Sequence, residues 1–132
     1  MEKRALIVED QTTLRDLLSE LLASLNFQVE AVSTAAEART CLAGATFQIV
    51  LLDLVLPDEH GLELLTDLRS MSGRPRVLIL TAHARPSVVR DAIARGAHAV
   101  ITKGAPLREL REAIDRVGGG GIFYCSETSR LL

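Results

Sequence analysis

The stretch Ile49-Val-Leu-Leu-Asp53-Leu-Val-Leu56 decides how this chain is read. Its aliphatic side chains surround a single carboxylate. A nearly continuous run rich in branched aliphatics suits a strand buried on both faces, as in a parallel sheet. An ionised carboxylate is costly to bury in such surroundings unless a cation pairs with it. Asp53 is therefore the first candidate for a reactive group, and the question becomes what lies around it.

Four further apolar runs flank this one: Ala5 to Val8, Phe27 to Val32, Val77 to Leu80 and Ala99 to Ile101. The run from Phe27 alternates apolar and polar residues, which suits an edge strand. The other three are continuous and suit central ones. Helical patterns lie between and after them. Leu14, Leu17, Leu18, Leu21, Leu22 and Leu25 form an apolar stripe. Thr34 with Glu37 reads as a capping box ahead of Ala38, Cys41 and Leu42. Leu62, Leu64, Leu65, Leu68 and Met71 mark a third helix. Pro86 opens a fourth, which Gly96 ends, and Pro106 opens a fifth with Leu107, Leu110, Ala113, Ile114 and Val117 facing inward. Strand then helix, five times over, predicts an α/β fold with an open parallel sheet and helices on both faces. The glycines from Gly118 to Gly121 stop the fifth helix, and residues 121–132 read as a tail or the start of a linker. Residues 1–120 are expected to form the folded domain.

Composition narrows the function. The chain has 132 residues, enough for one ordinary domain, and it is 48% hydrophobic but only 3% aromatic, so its core must be mostly aliphatic. A net charge of −2 gives no broad electrostatic reason to bind nucleic acid or an anionic membrane. No apolar stretch approaches the roughly 20 residues a membrane span needs. Cys41 and Cys125 show no metal-ligand spacing and read as free thiols, which suits a cytoplasmic protein.

Ligands of open α/β sheets bind outside the carboxyl ends of the strands. Glu9 and Asp10 follow the first run, Asp53 the third, Thr81 the fourth, and Thr102 with Lys103 the fifth. Singly, each has a plain structural reading: an Asp caps a helix, a Thr opens a turn, a Lys is a solvated charge. Together they converge if the strands are neighbours. Clustered carboxylates require a cation, and a small set of oxygens suits Mg²⁺. A lysine and a hydroxyl across the cleft suit a phosphoryl group, with Asp53 as its nucleophile.

These residues resemble the receiver domain of two-component response regulators. Leu6-Ile-Val-Glu-Asp10, Leu51-Leu-Asp-Leu-Val-Leu-Pro57, Leu80-Thr-Ala82 and Gly96-Ala-His-Ala-Val-Ile-Thr-Lys103 carry the resemblance, which runs from about Arg4 to Val117. It implies a flavodoxin-like, doubly wound five-stranded parallel sheet of order 2-1-3-4-5 with five helices. It implies that Asp53 accepts a phosphoryl group from a sensor histidine kinase. Asp10, Asp53 and the backbone carbonyl of Val55 would bind Mg²⁺, with Glu9 acting through water. Thr81 and Lys103 would contact the phosphoryl oxygens. Such a domain is a switch that promotes its own phosphorylation and dephosphorylation, not a metabolic enzyme.

Three positions depart from the family pattern. Val100 stands where an aromatic ring usually swings, and a β-branched side chain has no ring to move. Gly104 replaces a frequent proline, removing the usual reason for a cis bond. His60-Gly61 stands where Asp-Gly is common; His60 and His83 read as loop residues near the cleft, and His98 as structural. The end of the chain, Lys103-Gly-Ala-Pro-Leu-Arg-Glu-Leu110 through Gly-Gly-Ile-Phe-Tyr-Cys-Ser126, is similar to receivers of the LuxR/FixJ-like helix-turn-helix transcription factors. Such a receiver can dimerise on phosphorylation and reaches DNA only through an output domain, for which residues after 132 would be needed. Other readings weigh less. A hydrolase would want an acid where Val55 stands, and a flavin site would be repelled by Glu9 and Asp10; the alternative is a stand-alone or degenerate receiver acting as a protein-interaction module, against which the full acidic set argues and for which Val100 does.

Overall fold

The computed structural model describes residues 3–71 and 73–124, the last of these through its backbone alone. The strands are β1 (Arg4–Val8), β2 (Gln28–Val32), β3 (Ile49–Asp53), β4 (Arg76–Thr81), β5 (Ala99–Thr102) and β6 (Phe123–Tyr124). The helices are α1 (Thr12–Ser24), α2 (Ala35–Gly44), α3 (Gly61–Ser70), α4 (Pro86–Ala94) and α5 (Leu107–Gly118). The strands form one parallel sheet in the order β2-β1-β3-β4-β5-β6. The first five occupy the predicted runs in the doubly wound order 2-1-3-4-5.

The pleat sorts the sheet's side chains into two cores. Leu6, Val8, Val50, Leu52, Val77, Ile79 and Val100 face one way, against α2, α3 and α4. Ala5, Ile7, Ile49, Leu51, Leu78, Leu80, Ala99 and Ile101 face the other, against α1 and α5. This two-sided burial is why four of the runs are continuous. β2 is the edge strand, with no fully buried residue, and its sequence alternates accordingly.

Local chemistry sets the helix ends. Thr34 Oγ1 accepts the Glu37 N–H at 3.1 Å, while the Glu37 carboxylate accepts from the Ser33 N–H at 3.2 Å, so the capping box forms with its return bond one residue earlier than usual. Pro86 sits in the first turn of α4. Asn26, just beyond α1, takes a left-handed φ of 69°, which Asn tolerates better than most residues. In α1, Leu18, Leu21 and Leu22 are buried, each contributing about 2 kcal/mol by leaving water, whereas Leu17 of the same stripe is exposed.

The sixth strand is not foreseen by the sequence reading, which places 121–132 in a tail or linker. Phe123 and Tyr124 instead pair with Ala99 and Val100 of β5. Phe123 is buried, with the Arg116 guanidinium 5.3 Å from its ring centroid. Residues 125–132, including Cys125 and Ser126, lie outside the described part of the chain. Among the described residues no helix is long and apolar enough to cross a membrane, and Cys41 is a free, half-buried thiol.

Candidate functional site

β1, β3, β4 and β5 are consecutive neighbours in the sheet, so the groups at their carboxyl ends meet. Glu9, Asp53 and Thr81 are the buried polar side chains of the described residues, at 1%, 3% and 6% exposure, while Asp10 stands beside them in solvent. Oxygens of Glu9, Asp10 and Asp53 lie within 4.8 Å of one another. Lys103 Nζ is 3.0 Å from Asp53 Oδ2 and 3.1 Å from Glu9 Oε1. The other Asp53 oxygen, Oδ1, accepts the Val55 N–H at 3.2 Å. Both oxygens of Asp53 are thus aimed by the protein.

The electrostatics are unbalanced. One ammonium faces three carboxylates. Burial, followed by the nearby Asp53 carboxylate, pushes the Glu9 acid upward, although the Gln11 N–H at 3.0 Å and the lysine oppose the shift. For Lys103, burial works against the charge, but the contacts with Asp53 and Glu9 outweigh it and raise its value. Glu9 Oε1 is buried and makes no hydrogen bond, since the 3.1 Å approach of Lys103 lacks the required geometry. A buried carboxylate oxygen without a donor, in a cluster short of positive charge, fits a hard divalent cation with oxygen ligands.

The predicted residues divide in what they do. Asp53, Glu9, Asp10 and Lys103 come together as expected. Thr81 ends β4 at the same edge, but its hydroxyl donates to the His83 carbonyl at 3.1 Å and accepts the His83 N–H at 3.3 Å. That local turn holds the hydroxyl, and the exposed His83 side chain takes no part in the cluster. Val55 is 71% exposed beside the cleft. Val100 is fully buried under α4, in the core of Ile79 and Val89. His60 caps α3, its Nδ1 accepting the Leu62 N–H at 3.2 Å. His98 Nδ1 accepts the Val77 N–H at 3.0 Å, a structural role at the far end of the sheet.

Three supporting features escaped the sequence reading. The loop after β3 doubles back, with Val55 and His60 bridged in antiparallel fashion and the Gly61 N–H donating to the Leu54 carbonyl at 2.7 Å. A Cβ at Gly61 would strike the Asp53 carbonyl and come within 2.8 Å of Leu54 Cα. Asp58 ties the same loop to α2, accepting the Ala35 and Ala36 N–H groups at 3.0 Å each. Arg39 of α2 bridges Glu59 of the loop and Asp67 of α3. The acidic turn Pro57-Asp-Glu59 signals a loop in the sequence, but its partners are 20 or more residues away along the chain.

The Arg15 guanidinium also reaches back from α1 to the Glu9 carbonyl at 3.0 Å, steadying the acidic turn after β1. Glu9, Asp53 and Lys103 are therefore each fixed by backbone or by a charged neighbour, while the Asp10 carboxylate stands in solvent. This arrangement can hold a cation on one side and an oxyanion beside the lysine on the other.

The response regulator receiver domain family matches residues 5–115. Protein PetR of Rhodobacter capsulatus is 35% identical over 85% of this chain and 47% of its own length. The DNA-binding transcriptional activator DevR/DosR of Mycobacterium tuberculosis is 35% identical over 89% of this chain and 55% of its own length. The chain therefore spans about half the length of these relatives. Among solved structures, a LuxR-family two-component response regulator from an Aurantimonas species superposes with a TM-score of 0.90 at 27% identity, covering 98% of this chain and 94% of its own. A CheY-like receiver domain protein from Methanospirillum hungatei gives 0.85 at 29% identity, covering 91% and 96%. With the match spanning most of the chain and the acidic cluster at the expected sheet edge, this protein belongs to the response regulator receiver domain family.

Proposed function

We propose that this chain is a working phosphoacceptor, with Asp53 as the acceptor. The observation that carries the reading is the Asp53 carboxylate, 3% exposed, with Lys103 on one oxygen and the Val55 N–H on the other. In the reaction an Asp53 oxygen forms a bond to phosphorus. The phosphorus–nitrogen bond of a kinase phosphohistidine breaks, and the departing imidazole keeps the electron pair. Asp10, Asp53 and the Val55 carbonyl would hold Mg²⁺, with Glu9 acting through water, and the bound ion would supply neutralising charge for the incoming group. Lys103 faces the phosphoryl oxygens, and Thr81 does so once its hydroxyl leaves the His83 carbonyl. The switch is the sheet domain, residues 1–120 extended by β6, acting in the cytoplasm, and it controls a DNA-binding output domain supplied outside it. Phosphorylation then favours self-association.

The test is intact mass after incubation with acetyl phosphate and Mg²⁺. One added phosphoryl group is expected, labile in alkali, absent in Asp53→Asn and lost with a chelator. No uptake by the wild-type chain overturns the reading.

A further inference from the structure

A second charged site lies at the opposite end of the sheet. It is a cavity of about 360 Å³ between the C-terminal ends of α3 and α4 and the start of β4. Arg69, Arg74, Arg76, Arg95 and His98 line it, and no carboxylate does. The concentration is local, because the chain as a whole carries −2.

Some of these guanidiniums have structural work. Arg69 donates to the Ala94 carbonyl at 2.9 Å, capping α4. Arg95 pairs with Asp91 at 2.9 Å and gives its Nη1 to the Leu62 carbonyl and the Thr66 hydroxyl at 3.1 Å each. Capping does not account for the rest. The Arg74 side chain is exposed, with no hydrogen-bond or ion-pair partner among the described residues. Arg76 gives one terminal nitrogen to the Gly121 carbonyl at 2.7 Å, but its Nε is buried without an acceptor. A buried charged donor left unsatisfied is costly, so a side-chain movement of Arg76 that brings Nε to an acceptor is favoured. His98 adds a donor: its Nδ1 accepts from Val77, so the proton of the neutral ring sits on Nε2.

We propose that this cavity binds a small phosphorylated anion, independently of phosphorylation at Asp53. A guanidinium fork matches phosphate oxygens in pairs, and the open fork of Arg74 beside three further guanidiniums favours a multiply charged group over a single carboxylate. The cavity is separated from Asp53 by the length of β4, six residues from Arg76 to Thr81, or about 17 Å. It is neither the acidic cluster nor its extension.

The test is a heteronuclear NMR titration of the whole chain with inorganic phosphate and pyrophosphate, at constant ionic strength and with a chelator present. Saturable shifts at the amides of Val77, Arg95, Gly96 and His98 are expected. Arg74→Gln should weaken binding about tenfold, whereas Arg108→Gln, on the exposed face of α5, should not. Shifts that never saturate, shifts confined to Glu9, Asp53 and Thr81, or equal effects of the two substitutions overturn the proposal. So does binding of an acidic peptide at these amides when neither phosphate probe binds.

Discussion

At the scale of single residues, Gly61 is the position pressed hardest against the backbone of Asp53. The chain passes so close to Asp53 there that a β-carbon would meet the backbone of Asp53 and Leu54. Backbone atoms cannot rotate away as a side chain can. Gly61→Ala is expected to destabilise the fold by about 1–3 kcal/mol, as overpacking does, and to slow phosphoryl uptake because the loop carries the Val55 N–H that aims Asp53 Oδ1. Denaturant unfolding reads the first effect and the mass assay the second. An unchanged midpoint would show that the loop moves freely. Val100 makes a different point. It is wholly buried in the aliphatic core, so a relay through a swinging ring at that position has no ring to move.

Between residues and the whole fold stand the elements, and here Asp58 is instructive. It sits in the loop before α3 yet satisfies the first free N–H groups of α2. Those contacts, Ala35 before Ala36, hold its carboxyl below the usual carboxylate range. A depressed native value means the unfolded state binds the proton more readily. The stabilisation is therefore present above the ordinary carboxylate pKa and lost as pH falls through the lower native value. Asp58→Asn should lower the thermal midpoint at neutral pH, and the difference from wild type should shrink in acid. A pH-independent difference would mean that shape alone matters there. The loop that follows Asp53 is in this way fastened to α2 by Asp58 and, through Glu59, by Arg39.

For the molecule as a whole, the sixth strand changes where the folded unit ends. Phe123 closes the lower part of β5, and the carbonyl of Gly121 accepts from Arg76. Phe123→Ala should cost about 2 kcal/mol by exposing that edge, a shift large enough to see in a thermal melt. A chain ending at residue 120 should be destabilised further, because it also leaves Arg76 without its acceptor. Equal stability of the shortened chain would make β6 an ornament of the sheet.

What the sequence determined by itself is local or periodic. Continuous aliphatic runs reported two-sided burial, the alternating run reported the edge, and prolines and capping residues set the helix starts, because these features depend on neighbours within a turn or a strand. Glu9, Asp10, Asp53 and Lys103 were legible for the same reason: each ends a readable strand, and a parallel sheet gathers its strand ends. Only the tertiary structure decided the rest. The close pass at Gly61, the tether from Asp58, the docking of Phe123 and the arginine-lined cavity all join residues of different elements. Their partners are chosen by packing in three dimensions, and no periodicity in the sequence records that choice.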